Sequence, residues 1–151
     1  MNLYSIDSKK FKSIFYQIQI SNIIALIVTF ILLKQGVYLL AGFDPGKKLT
    51  IPILGLMVVL AFVFATNQRK QLSRIVSIED FDTRVAEYEK FYKFRMLWYL
   101  VSCFVSCGLV LLTGRYVFLI YGVFDILVAL PFYPSLLMFK KELQNEEIIL
   151  H

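Results

Sequence analysis

The sequence is short of the residues that most enzymes and metal sites use. Histidine, a common general base and metal ligand, occurs once in 151 residues, as His151 at the C-terminal end. The two cysteines, Cys103 and Cys107, are four residues apart in an apolar run, so they form neither a C-x-x-C redox motif nor a metal site. We expect both thiols to serve in helix packing, because a free cysteine behaves as a small hydrophobic residue.

Catalytic motifs are missing as well. The sequence contains no H-E-x-x-H pair, no Gly-rich phosphate loop and no nucleophile elbow around a serine. We therefore predict that the protein is not an enzyme and that it uses no cofactor and no metal.

Charged residues make up only 18% of the chain, whereas hydrophobic residues make up 58% and the mean hydropathy is +0.68. This balance is too apolar for a soluble protein of this length and excludes a soluble catalytic domain. The lipid bilayer is the expected partner. The net charge of +5 does not predict a nucleic-acid partner, because the lysines and arginines are spread over loops rather than clustered on one soluble face.

Four apolar runs approach the length that a membrane-spanning helix needs, about 20 residues. They cover residues 18–40, 51–66, 96–113 and 116–139. We predict an all-α polytopic membrane protein with four transmembrane helices in two hairpins, which leaves little chain for a folded unit outside the membrane. Pro131 and Pro134 interrupt the fourth run and predict a kink, since each proline removes a backbone donor.

The longest polar segment, residues 67–95, separates the second and third runs. Ser77, followed by Glu79 and Asp80, predicts a helix N-terminus of the capping-box type, and apolar residues recur beyond it at helical spacing. We therefore predict a cytoplasmic helix that begins near Ile78 and continues into the third span.

Three roles stay open for the cytoplasmic helix at residues 78–95. Its basic and aromatic residues suit contact with the anionic inner leaflet, and the same surface suits a cytoplasmic protein partner. The third role is packing against the N-terminal segment that carries Phe11 and Phe15.

The distribution of lysine and arginine predicts the orientation of the chain in the membrane. The N-terminal tail, residues 67–95 and the C-terminal tail carry three, seven and two of these residues, twelve in all, and the opposite side carries the remaining four. Because cytoplasmic loops are enriched in Lys and Arg, both termini should face the cytoplasm.

Asp125 is an acidic residue in the middle of the fourth run. It follows Arg115 by ten residues, about 15 Å along a helix, and so lies near the middle of a hydrocarbon core about 30 Å thick. Its candidate partners at similar depth are Lys34, Asn22, Thr29, Ser102 and Ser106. One interpretation is a proton- or cation-binding carboxylate in a pathway. We favour the other, a hydrogen bond that holds helices together, because one acidic residue does not make a relay.

The C-terminal quarter carries the sequence LTGRYVFL at residues 112–119, then an apolar span with a proline, and then KKEL at residues 140–143. In these features it resembles a group of small, uncharacterised four-span bacterial inner-membrane proteins. It implies the four-span architecture and a bacterial inner-membrane location, and it implies no activity.

The sequence thus predicts an integral inner-membrane protein that acts as a non-enzymatic interaction or accessory protein. The alternative is a small transporter or channel that uses Asp125 as a proton or cation site. Ser102 and Ser106 have the small-xxx-small spacing that permits close helix approach, so an oligomer is compatible with the sequence.

Cysteine-accessibility labelling tests the predicted orientation. In a background with Cys103 and Cys107 replaced by alanine, Gly46→Cys should react with an impermeant maleimide in intact cells, because residue 46 is predicted to lie outside. Arg74→Cys and Glu146→Cys should react only after permeabilisation. Labelling of either in intact cells would refute the orientation.

Overall fold

The computed structural model describes residues 4–37, 39 and 48–150. The elements are, in chain order, β1 (Tyr4–Ile6), α1 (Ser8–Lys34), α2 (Thr50–Val76), α3 (Phe81–Thr113), α4 (Tyr116–Ala129), a 3-10 turn (Leu130–Phe132), α5 (Leu136–Leu143) and β2 (Ile148–Leu150). The predicted end of the first span at residue 40, the outer loop around Gly46 and His151 lie outside the described residues.

Within the described residues, three helices are long and apolar enough to cross a membrane: α1, α2 and α3. A fourth crossing is present if the segment Tyr116–Phe132 and helix α5, which are bent by 82° relative to each other, are taken as one broken span. The helical class predicted from the sequence is therefore confirmed. The interruption that Pro131 and Pro134 predict in the fourth run is present, and it is a full break rather than a kink, because α4 ends at Ala129.

The two prolines end α4 rather than merely bending it. Pro131 lies in the 3-10 turn, and Ser135 caps α5 by accepting a hydrogen bond from the Met138 N–H at 3.2 Å. The Tyr92 hydroxyl donates to the Phe132 carbonyl at 3.0 Å and so satisfies one backbone acceptor at the break. This contact with α3 holds the bent backbone in place.

The polar segment at residues 67–95 is helical except for residues 77–80, so the loop expected between the second span and Ile78 is only a short turn. Helix α2 continues to Val76, ten residues past the predicted end of the second span, because Gln, Arg, Lys and Leu are good helix formers. Helix α3 is one uninterrupted helix of 33 residues, so its predicted continuity is confirmed. It begins at Phe81 rather than Ile78, since Asp80 is the residue that caps it, accepting from the Thr83 N–H at 2.9 Å.

Helix α3 is the central helix, and α1 and α4 both pack along it. Gly114, at φ 66°, ends α3 in the left-handed conformation that glycine adopts without strain, and α4 follows at once as a packed hairpin. The predicted first hairpin is not a closely packed pair, because α2 has its main contacts with α3 and α5 while α1 has its own with α3 and α4.

The largest hydrophobic core lies at the end of the bundle that holds β1 and β2, hereafter the inner end. Phe11 of α1 contacts the rings of Tyr92 and Phe139 edge-on, with centroids 5.2 and 5.0 Å apart. Residues 78–95 thus pack against the N-terminal segment, the third of the roles left open above. Met96, Leu143 and Ile148 belong to the same core.

A short parallel strand pair closes this inner unit. Strand β1 pairs with β2 in the register Tyr4 to Ile148 and Ile6 to Leu150. The two terminal segments therefore lie side by side. Ile6 and Ile148 are both buried in the core, an arrangement that the sequence analysis did not foresee.

Beyond the inner unit, the helices expose apolar side chains. On α3 the exposed large hydrophobic residues run from Phe94 to Leu112, a segment of nineteen residues that spans about 27 Å of helix. Ile27 on α1, Phe62 on α2 and Ile120 on α4 are each more than half exposed. A surface of this kind and height matches the hydrocarbon core of a bilayer.

Candidate functional site

A cavity of about 610 Å³ lies between α2 and α4, with α3 behind it and α5 at its inner end. Its walls carry Phe64, Trp98 and Phe124, whereas its polar side chains include Gln68, Arg95, Tyr99, Tyr121, Asp125 and Glu142. The cavity thus joins the one acidic residue of the fourth apolar run to a group of charges at the inner end.

Asp125 lies in the wall of this cavity, on the face of α4 that meets α3. Its side chain is 7% exposed, and its Oδ2 accepts a hydrogen bond of 2.7 Å from the Ser102 hydroxyl. That is the one hydrogen bond of the Asp125 side chain within the described part of the chain, so Oδ1 is free to bind a ligand.

Close helix packing positions this pair. Gly122 precedes Asp125 by one turn, and a Cβ atom there would lie 2.8 Å from Leu26 Cδ2 of α1 and 3.5 Å from Ser106 Cβ of α3. The missing side chain lets α4 approach both neighbours. The Ser106 hydroxyl donates to the Ser102 carbonyl at 2.9 Å and is therefore satisfied within its own helix.

Arg95 forms the charged inner end of the cavity and is only 3% exposed. Its Nη1 donates to both carboxylate oxygens of Glu142 on α5 at 2.9 and 3.0 Å, and its Nε donates to Gln68 Oε1 on α2 at 3.1 Å. The guanidinium lies between the rings of Phe91 and Phe132, 4.4 and 4.3 Å from their centroids. Charge-assisted hydrogen bonds and stacking together compensate for its lost hydration.

Two tyrosines complete the inner cluster. The Tyr88 hydroxyl donates to Glu142, and burial together with the adjacent carboxylate raises the pKa of the Tyr88 phenol well above its usual value. Burial also raises the pKa of Tyr92, whose hydroxyl is bound to the Phe132 carbonyl. Both phenols therefore stay protonated and act as hydrogen-bond donors at physiological pH.

The structure brings together only part of the predicted polar site. Asp125 and Ser102 are in contact as expected. Asn22 is fully buried, and its amide has no hydrogen-bond partner among the described residues. Thr29 is buried beside the Cys107 thiol. Lys34 is exposed at the end of α1, with its Nζ 5.6 Å from the Phe30 ring centroid, and no described contact joins it to Asp125.

The cluster of Gln68, Arg95 and Glu142 was not predicted from the sequence. Arg95 was counted only as a loop charge that sets orientation, and Glu142 was given no partner. A usable signal was present, because each of the three residues adjoins the inner end of an apolar run. Opposite charges at the same membrane depth are candidates for pairing.

The site offers hydrogen bonding, charge and an apolar wall. No group of three or more His, Cys, Asp or Glu side chains in the described ranges could hold a metal ion. Comparison with protein-family models, with curated proteins and with solved structures finds no match for the chain. The geometry of the cavity is therefore the basis for assigning a function.

Removal of the Glu142 carboxylate should destabilise the protein strongly. Glu142→Leu leaves the Arg95 guanidinium buried without its anion, which costs about 3–5 kcal/mol. Glu146→Leu is the matched control, because the Glu146 side chain is 92% exposed and its ion pair contributes less than about 1 kcal/mol. Thermal unfolding in detergent measures both, and equal effects would contradict a central role for the Arg95 pair. Arg95→Met combined with Glu142→Leu should recover part of the loss.

Proposed function

We propose that the chain is a four-span protein of a bacterial inner membrane, with its termini and the turn between α2 and α3 in the cytoplasm. The exposed apolar surface supports the membrane location. The pairing of β1 with β2 supports a common side for the two termini, and the excess of Lys and Arg at that end supports the cytoplasmic side. The bent pair of α4 and α5 then supplies the fourth span.

Within this architecture, the proposed function is the non-enzymatic binding of a lipophilic ligand in the cavity between α2 and α4. The observation that carries it is that the cavity wall is continuous with the lipid-facing surface. Phe124 and Val128 line the cavity although they are 58% and 37% exposed. A ligand dissolved in the bilayer reaches such a site sideways, without crossing a polar surface.

A closed outer end favours a binding site over a channel. Leu33 of α1, Met57 of α2, Val110 of α3 and Phe118 of α4 form one hydrophobic cluster beyond the cavity, and all four are buried. The Tyr121 hydroxyl donates to the Met57 carbonyl at 3.3 Å and ties α4 to α2 at the same level. A ligand in the cavity therefore has access to the inner half of the membrane only.

Filling the cavity should abolish ligand retention. Ala61 lines the cavity on α2, and Ala61→Phe places a ring in the space. Val59→Phe adds the same ring to the exposed face of the same helix, where the Val59 side chain is 57% exposed, and is the matched control. Mass spectrometry of organic extracts of the purified proteins should find a bound molecule with the wild type and Val59→Phe but not with Ala61→Phe. Equal retention by all three would refute the proposal.

A second candidate function is favoured by the free Oδ1 of Asp125. A carboxylate with one unsatisfied oxygen in a cavity is also a site for a proton or a cation, as in a small transporter. Asp125→Asn keeps the shape and the Ser102 contact but removes the charge. In vesicles carrying a pH-sensitive dye, the wild type should then show a proton flux that Asp125→Asn lacks. Equal fluxes for the two proteins would rule out this candidate.

A further inference from the structure

Two cationic side chains at the inner end of the cavity have no anionic partner within the described residues. Arg69 of α2 and Lys141 of α5 both line it and both are exposed. Neither makes a hydrogen bond or an ion pair within residues 4–37, 39 and 48–150. Two neighbouring cations differ in this respect, because Arg95 is bound to Glu142 and Lys140 lies 3.7 Å from Glu146.

Arg69 and Lys141 lie at about the same depth along the axis of the helix bundle. Each is next in sequence to a member of the Arg95 cluster, Gln68 or Glu142, which α2 and α5 bring together. This level also marks the inner limit of the exposed apolar surface, which begins at Phe94 on α3. Arg69 and Lys141 therefore lie at the depth of lipid head groups.

The deeper part of the cavity is apolar. Phe64 and Trp98 stack with ring centroids 4.3 Å apart and form one wall, and Phe124 and Val128 form the wall that opens to lipid. Asp125, beside Ser102, lies about 10 Å deeper than Arg95, since seven residues of α3 separate Ser102 from Arg95. An anionic group at Arg69 and Lys141 is thus well separated from the Asp125 carboxyl.

We infer that the ligand of this cavity is an anionic glycerophospholipid of the inner leaflet, with its phosphate between Arg69 and Lys141 and an acyl chain along Phe64, Trp98 and Phe124. This inference rests on the proposed binding function and adds the chemical class of the ligand. Charge complementarity carries it: lysines and arginines at a membrane surface attract anionic lipids, and here two of them line a cavity whose deeper walls are apolar.

The single tryptophan of the chain, Trp98, reports on this site. Bromine atoms on an acyl chain quench tryptophan fluorescence on contact. The experiment compares nanodiscs of phosphatidylcholine that contain either brominated phosphatidylglycerol or brominated phosphatidylcholine. A minor fraction of brominated phosphatidylglycerol should quench Trp98 fluorescence as strongly as about a tenfold larger fraction of brominated phosphatidylcholine does. Arg69→Gln combined with Lys141→Gln should abolish this preference, so that equal fractions of the two lipids quench equally.

Matched variants separate the site from general charge. Lys70→Gln combined with Lys140→Gln removes the same net charge one residue away on each helix, and it should keep the preference. Arg69→Lys combined with Lys141→Arg keeps the cations and should keep the preference as well, which shows that the preference depends on positive charge at the two positions and not on the identity of the side chains.

The outcomes distinguish the two proposals. If both brominated lipids quench the wild type equally and Ala61→Phe relieves the quenching, the cavity binds lipid without selecting a charge, and the inference falls while the binding function stands. If Ala61→Phe leaves the quenching unchanged, Trp98 senses bulk lipid only and both fail. If added inorganic phosphate by itself abolished the preference for phosphatidylglycerol, Arg69 and Lys141 would form a site for free anions, and the lipid assignment would be overturned.

Discussion

The buried Arg95 guanidinium is the constraint on which the inner half of the molecule depends. A charge that is 3% exposed is costly unless its hydrogen bonds are satisfied, and its partners come from distant parts of the chain. Gln68 extends from α2, Glu142 from α5 and the Phe132 ring from the break after α4. These three segments must converge on α3 for Arg95 to be buried. A single residue therefore fixes the position of α2 against α3 and the position of α5 after the break.

The cavity follows from this convergence. Helix α2 contacts α3 through the hydrogen bond between Arg95 and Gln68 and through the stacking of Phe64 on Trp98. Helix α4 packs closely against α3 and α1 at Gly122. The two helices therefore flank α3 without closing on each other in the inner half, and the cavity between them stays open at the exposed side chains of Phe124 and Val128. The same contact that stabilises the inner unit also builds the charged end of the candidate site.

Properties that depend on local sequence were predictable, and properties that depend on distant partners were not. Hydropathy located the apolar helices, and depth along a helix placed Ser102 among the candidate partners of Asp125. Polarity at residues 67–76 was misinterpreted as a loop because polarity reports exposure and not backbone conformation. The prolines located the break, but its 82° bend depends on contacts of Tyr92 and Arg95 that have no local pattern. The pairing of β1 with β2 joins segments at opposite ends of the chain, and neither segment carries a sequence pattern that predicts the pairing.

A count of basic residues treats every lysine and arginine at the inner end as equivalent, and the fold makes them different. Arg95 is buried in the core and paired with Glu142. Lys93 lies within 4 Å of Glu89, and Lys140 lies within 4 Å of Glu146. Arg69 and Lys141, which line the cavity, receive no anion from the described chain. The orientation rule needs only that these charges be on one side of the membrane, whereas recognition needs charges left over after folding is satisfied. The division between the two groups is made by the Arg95 cluster, because Gln68 and Glu142 carry their sequence neighbours Arg69 and Lys141 to the opening of the cavity.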